Sequence, residues 1–264
     1  MYQAQQILNR LRHADIGVKV SPDLARGAGV GSPIADRIRV FLKKQSILGS
    51  LSDTALDALV LRGCIKTYAA GEFICRREEH GETLMVIVTG WVKITNSNPD
   101  GREIVLNFLG PGDTSGELAL FDGKGRSADV VALDATEVFL IYARDLLPML
   151  TAHPQTLLEI IESLCEKLRA ASAIIEDNSL DMRRRIARGL LRLVLQHGRL
   201  SKEGIRVSLT LSQSELGAYL SLSRENVNRQ LGQLRDANVI RNDGPQIIVT
   251  NEFALREIAE GTST

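Results

Sequence analysis

Residues 209–250 read LTLSQSELGAYLSLSRENVNRQLGQLRDANVIRNDGPQIIVT, and their local chemistry decides how the C-terminal part of the chain folds. Ser212 and Glu215 have the S-x-x-E spacing of a capping box, in which each side chain satisfies an orphan backbone amide at a helix start. Leu216, Tyr219 and Leu220 then share one inner face. Ser221 to Ser223 make a short turn, Ser223 is the N-cap candidate of a second helix, and Val227, Leu231 and Leu234 give that helix a buried stripe. Arg224, Glu225, Asn228 and Arg229 are left on the solvent face of its first two turns, the layout of a helix that enters a DNA groove. Arginine pairs bidentately with guanine and glutamate accepts from the cytosine amino group, so a half-site rich in G·C steps is expected. Ser212, Gln213 and the amides of the first helix's N-terminus are candidates for phosphate contacts, which position the module without reading sequence. The Asp243-Gly244 turn and the run Ile247–Thr250 supply a β-wing; the alternative is a plain helical hairpin with a charged face.

Charge is distributed to match. The chain is formally neutral, yet residues 182–241 hold 12 Lys and Arg against 4 Asp and Glu, whereas residues 72–181 hold 9 against 19. Residues 1–71 are basic (10 against 5) and residues 242–264 acidic (1 against 4). A basic segment joined to an acidic one is what a nucleic-acid-binding module attached to a non-binding module shows, although a solvated basic face has the same composition.

Upstream, Leu157, Ile161, Leu164, Leu168, Ala171, Ile175, Asn178 and Met182 are separated by alternating steps of four and three. Such an a/d seam predicts a helix that pairs with another helix and hence a homodimer; packing on the chain's own β-domain is the alternative. Residues 63–143 alternate short β-rich runs (FIC, TLMVIVTGWVKIT, EIVLNFL, DVVAL, EVFLIYA) with turn signals, among them Asp100-Gly101, which predicts a sandwich, barrel or jelly roll. Ile38, Phe41, Leu42, Leu48, Leu51, Leu56 and Leu59 predict two short helices before it, the second capped by Ser52. Ile7, Leu8 and Leu11 give a brief helical pattern, followed by a stretch rich in Gly, Pro and Ser. The chain thus divides into an extension (1–36), a β-roll domain (37–153), a dimerisation helix (154–182) and a winged helix-turn-helix (183–264), an α+β architecture.

Within the β-rich region lies GDTSGELALFDGKGRSADVVA, Gly112 to Ala132. A cyclic nucleotide presents one phosphodiester charge and a ribose 2′-hydroxyl, so its site needs a cation, N–H or O–H donors and a carboxylate acceptor. Arg126, Ser127, Glu117 and the Gly116 backbone could supply these from one loop; a Glu117–Arg126 loop salt bridge is the other reading.

Gly116-Glu117-Leu118-Ala119-Leu120-Phe121, Arg126-Ser127-Ala128-Asp129-Val130 and Ser223-Arg224-Glu225-Asn226-Val227-Asn228-Arg229 resemble motifs of the bacterial cyclic-AMP receptor protein / fumarate-nitrate regulator (Crp/Fnr) family over roughly residues 37–250. The resemblance implies a cyclic-nucleotide-binding β-roll, a dimerising helix and a winged helix-turn-helix. It implies that Glu117 contacts the ribose hydroxyl, that Arg126 and Ser127 hold the cyclic phosphate, and that Gly116 and Leu118 line the same site. Adjacent hydroxyl residues that contact adenine in cyclic-AMP-responsive members align with Ala170 and Ala171, which offer neither donor nor acceptor; Ser172 points elsewhere on a helix. The effector expected is cyclic AMP, with cyclic GMP or another nucleotide as the alternative, and no tightly bound cofactor. Double-stranded DNA, a second copy of the chain and RNA polymerase are the expected partners. The competing readings are an effector-independent member with a relic pocket and, in a different class, a nucleotide-regulated signalling enzyme.

No P-loop and no Ser/His/Asp arrangement is visible, and residues 183–264 leave no room for a catalytic domain, so the chain is not read as an enzyme. Cys64, Cys75 and Cys165 lack C-x-x-C spacing and read as free thiols, with Cys75 or Cys165 as a redox sensor the minority reading; the iron-sulfur and haem arrangements of some family members are missing. No stretch approaches the roughly 18 apolar residues of a membrane span, and MYQAQQILNRLRHAD is no signal peptide, so a cytoplasmic protein is expected.

Overall fold

The computed structural model describes residues 32–98 and 100–262. The helical pattern around Ile7, Leu8 and Leu11 lies outside the described residues. Helices α1 (Pro33–Gln45) and α2 (Asp53–Arg62) open the described chain. Each starts on a serine hydroxyl that accepts from an amide three residues on, Ser32 from Ala35 at 3.2 Å and Ser52 from Ala55 at 3.3 Å. Helix α1 begins at Pro33, four residues inside the segment read as an extension.

The strands that follow are β1 (Cys64–Tyr68), β2 (Phe73–Cys75), β3 (Thr83–Thr89), β4 (Val92–Ser97), β5 (Glu103–Leu109), β6 (Thr114–Ser115), β7 (Asp129–Ala132) and β8 (Thr136–Tyr142), with the short α3 (Glu117–Asp122) before β7. They form two four-stranded sheets, ordered β1-β8-β3-β6 and β2-β7-β4-β5. The continuous apolar run of β3 has a simple cause: the strand is covered on both faces. Leu84, Val86 and Val88 join Phe139 and Ile141 of β8 in a core shared with α1 and α2. Met85 and Ile87 instead join Val138 and Leu140 in a second core with Val92, Leu109 and Val130 of the facing sheet. Between β4 and β5, Gly101 takes φ 76, its amide donates to the Asn98 carbonyl at 2.9 Å, and the Asn98 amide donates to the Arg102 carbonyl at 3.0 Å. This is the bonding of a hairpin loop closed by a left-handed glycine, as the Asp100-Gly101 pair predicts.

Helix α4 (Ala143–Ala152) precedes the long α5 (Pro154–Asp177). Then come α6 (Met182–His197), β9 (Gly198–Ser201), β10 (Gly204–Val207), α7 (Gln213–Leu220), α8 (Arg224–Asp236), β11 (Ile240–Asp243), β12 (Gln246–Val249) and α9 (Glu252–Glu260). Strands β11-β12-β10-β9 make one antiparallel sheet, so the wing extends through β10 to β9, and both that extension and α9 went unread in the sequence. The chain forms two compact units: one runs to Thr95 and resumes over Phe108–Cys165, the other holds Asn96–Asn107 and Glu166 onward.

The seam expected along residues 157–182 needs correcting. Helix α5 ends at Asp177, Asn178 lies in a turn and Met182 is the first residue of α6, so neither continues the stripe. Asp181 explains the restart, because its carboxylate caps α6 by accepting from the Arg184 amide at 3.0 Å. Leu157 and Leu164 pack against the core formed by α1, α2 and the first sheet. The unpartnered stripe of α5 is shifted by one residue at its start: Leu158, Ile161, Leu168 and Ile175 are exposed, the last two at 69% and 71%, with Cys165 and Ser172 exposed between them. Their steps of three and four keep the heptad spacing.

Candidate functional site

Arg126 is 7% exposed, and its backbone is held by the segment opposite: its amide donates to the Glu79 carbonyl and its carbonyl accepts from the Glu78 amide, both at 2.8 Å. Glu78 takes φ 67 to make that second bond. The guanidinium is aimed by β3, with Nη2 donating to the Thr83 carbonyl and hydroxyl at 2.9 Å each and Nη1 donating to the Gly116 carbonyl at 3.2 Å. Burial pushes its pKa down, while Cys75, Glu117 and Glu79 are close enough to oppose the shift. A buried cation of this kind is stabilised by an anion that takes up its other N–H donors.

Two glycines let the backbone approach that guanidinium. Gly116 has φ 93, and a Cβ there would lie 2.7 Å from the Thr83 carbonyl and against Arg126; a Cβ at Gly81 would lie 2.6 Å from Ala119 Cβ and 2.9 Å from Arg126 Nε. The residues fit a cyclic phosphate in that respect: a desolvated cation, a close-packed glycine turn and a carboxylate within one cluster. Glu117 is buried, and it opens α3, so the stretch from Gly116 to Ser127 is not one loop as the sequence suggests but includes a short helix. Leu118 and Ser127 are exposed. Ala170 is half-buried and Ala171 exposed on α5, and neither carries a hydrogen-bonding side chain. Thr83 and Gly81 were missed in the sequence; Gly81 marks a turn there, but no local signal pairs Thr83 with an arginine 43 residues away.

Cys75 lies near this cluster, and burial pushes its thiol up to about 11, which keeps it protonated and unreactive at neutral pH. Among the described residues no group of three or more His, Cys, Asp or Glu is arranged to hold a metal ion. No helix among them is long and apolar enough to cross a membrane.

In the second unit the Ser212–Glu215 capping box is complete: the Ser212 hydroxyl accepts from the Glu215 amide at 3.1 Å, and the Glu215 carboxylate accepts from the Ser212 amide at 2.7 Å. The α7–α8 turn is closed by Ser221 at φ 54, and the Ser223 hydroxyl caps α8 by accepting from the Asn226 amide at 3.2 Å. Val227, Leu231 and Leu234 are buried, and Arg224, Glu225, Asn228 and Arg229 are exposed on the opposite face. Gln213 Nε2 donates to Asn228 Oδ1 at 3.2 Å, and Arg229 Nη2 donates to Asn226 Oδ1 at 3.0 Å. The first of these bonds joins the start of α7 to the exposed face of α8, and the second braces the Arg229 side chain along α8.

Comparison with known proteins follows the same division. Residues 65–153 match the cyclic nucleotide-binding domain model, and residues 184–258 match the Crp-like helix-turn-helix domain model. The chain is 31% identical over 75% of its length to the cAMP-activated global transcriptional regulator CRP of Salmonella typhimurium, covering 95% of that protein. It is 26% identical over 81% of its length to the CRP-like cAMP-activated global transcriptional regulator of Mycobacterium tuberculosis, covering 96% of it. Among solved structures, FixK2 from Bradyrhizobium japonicum superposes with a TM-score of 0.67 at 25% identity, over 75% of this chain and 98% of that one. The relatives from Salmonella typhimurium and Mycobacterium tuberculosis are transcriptional regulators and not enzymes. The chain belongs to the Crp/Fnr family of DNA-binding transcription regulators.

Proposed function

We propose that this regulator is a homodimer that binds a two-fold symmetric operator in response to a cyclic nucleotide, cyclic AMP first and cyclic GMP second. The observation that carries the reading is Arg126, a desolvated guanidinium packed against Gly116 and Gly81 in the cluster that holds Glu117. In this reading Arg126 and Ser127 hold the cyclic phosphate, Glu117 accepts from the ribose hydroxyl, and Gly116 and Leu118 border the ligand. Ala170 and Ala171 bring no polar group to the base, which favours an effector held mainly by its phosphate and ribose. The names of the relatives from Salmonella typhimurium and Mycobacterium tuberculosis, both cAMP-activated, support cyclic AMP as the first candidate. Isothermal titration of the protein with cyclic AMP and cyclic GMP tests the site; absence of heat with both would remove the effector from the account.

The exposed stripe of α5 supports the dimer, because four large apolar side chains at heptad spacing are buried when two copies pair along it. Effector binding then favours one arrangement of the paired helices and sets the two α8 helices about 34 Å apart, one turn of DNA. Ser212, Gln213, Ser223 and Asn226 fall to the phosphates, and Arg224, Glu225, Asn228 and Arg229 to base edges. Replacing Arg224 by alanine is expected to relax specificity at one base pair of each half-site, at about 1–3 kcal/mol. Binding-site selection with the variant checks this, and recovery of the wild-type consensus would contradict it. The same reading divides the chain at residues 36, 153 and 182, places the protein in the cytoplasm and gives it RNA polymerase as its partner at promoters.

A further inference from the structure

Asp177, the last residue of α5, is 2% exposed. A carboxylate there is out of water and at the carbonyl end of a helix, so donors from the protein must take the place of water. The structure answers with two guanidinium groups: Oδ1 accepts from Arg188 Nη1 at 3.1 Å, and Oδ2 accepts from Arg192 Nη1. Arg192 Nε also donates to the Tyr219 hydroxyl of α7 at 3.2 Å, and its guanidinium lies 5.5 Å from that ring's centre. Arg188 Nε donates to the Ala259 carbonyl of α9 at 3.3 Å. Arg185 Nη2 donates to the carbonyls of Asn178 at 2.6 Å and Leu180 at 3.2 Å, and its Nη1 donates to the Ser221 carbonyl at 3.4 Å.

Arg185, Arg188 and Arg192 stand at i, i+3 and i+7, so one stripe of α6 gathers the end of α5, the turn after it and the C-terminal end of α7. The sequence reading counted these arginines toward the basic surface, whereas their donors are committed inward. A buried carboxylate held by two guanidinium groups at once resists displacement, and a turn whose carbonyls are bonded to the same stripe has little slack to take up movement.

We propose that Asp177 is a positioning residue for DNA recognition: through Arg188, Arg192 and Tyr219 it makes the C-terminal half of α5 and the helix-turn-helix one rigid piece. Movement of α5 is thereby delivered to α7 and α8 and is not absorbed in the turn at residues 178–181. The proposal rests on the effector-controlled reading above, since it concerns how that control is transmitted.

The test uses the full-length protein, Asp177→Asn, Tyr219→Phe, cyclic AMP and a duplex obtained by binding-site selection. Duplex affinity is measured with and without cyclic AMP, and cyclic AMP affinity with and without duplex; by linkage the two ratios are equal. For Asp177→Asn the shared ratio is expected to fall about tenfold toward one, with cyclic AMP affinity of the free protein unchanged; for Tyr219→Phe, which removes a single hydroxyl, it falls about threefold. A wild-type ratio in folded Asp177→Asn overturns the proposal, as does an equal loss of duplex affinity with and without cyclic AMP, which marks a merely structural role. If Asp177→Asn does not fold, Tyr219→Phe decides alone, and its ratio unchanged from wild type overturns the proposal. A wild-type ratio of one instead removes effector control itself and the proposal with it.

Discussion

Arg126→Ala is expected to weaken cyclic AMP binding by roughly 100- to 1000-fold, the equivalent of about 3–4 kcal/mol for two charge-assisted hydrogen bonds to one anion. The estimate follows from where the side chain sits. An exposed arginine would trade bonds to water for bonds to phosphate and gain little, but Arg126 is buried, is already aimed by Thr83 and Gly116, and loses little further freedom on binding. The same burial gives the variant a stability cost of about 1–3 kcal/mol, because the Thr83 and Gly116 carbonyls lose their donors. Titration calorimetry is therefore read at a temperature where circular dichroism shows the variant folded. Nucleotide-dependent DNA binding should fall in parallel, and unchanged nucleotide affinity in a folded variant would sink the assignment of the site.

The second large effect is expected at the exposed stripe of α5. Leu168→Asp combined with Ile175→Asp should leave a monomer in sedimentation analysis at micromolar concentration, since each position loses about 1.5–3 kcal/mol of apolar burial and places a carboxylate opposite its own copy. Operator affinity should drop by a factor on the order of a thousand, because two half-sites are then bound separately and not as one unit. Both positions are already exposed in the single chain, so the folded monomer should keep its thermal stability to within about 0.5 kcal/mol per site. Dimeric behaviour of the double variant would move the interface elsewhere. Leu157→Asp is the contrasting case, since Leu157 packs against its own domain's core and its replacement should unfold that domain first.

The difference between Leu157 and Leu158 shows where sequence reading runs out. A helix with two neighbouring apolar stripes satisfies heptad counting in more than one register, and only the three-dimensional core decides which stripe is spent on the chain's own fold. What was legible was local: the Ser212–Glu215 box, the Ser223 cap, the inner faces of α7 and α8, the Asp100-Gly101 hairpin and the β-rich run of β3 all depend on residues within a few positions of one another. Glu117 and Arg126 were legible because they stand in one short stretch. Non-local features were not. Thr83 and Arg126 are 43 residues apart, Arg192 and Tyr219 are 27 apart, and no periodicity links such pairs. Charge counting misled for the related reason that a stripe of arginines looks the same whether it faces phosphates or, as at Arg185, Arg188 and Arg192, the carbonyls and carboxylate of the same chain. The strands β1 and β6 and the hairpin of β9 and β10 escaped notice because two to five residues with little alternation carry no period.

The central claim is that a cyclic nucleotide held by Arg126 controls DNA binding by the α8 pair. Fluorescence anisotropy of a selected duplex, titrated with the wild-type protein in the presence and absence of saturating cyclic AMP and cyclic GMP at fixed salt, tests it most directly. Duplex affinity should rise at least tenfold with one of the two nucleotides in the wild type and not at all in Arg126→Ala. Equal affinities for the wild type under all three conditions would contradict the account and leave an effector-independent regulator.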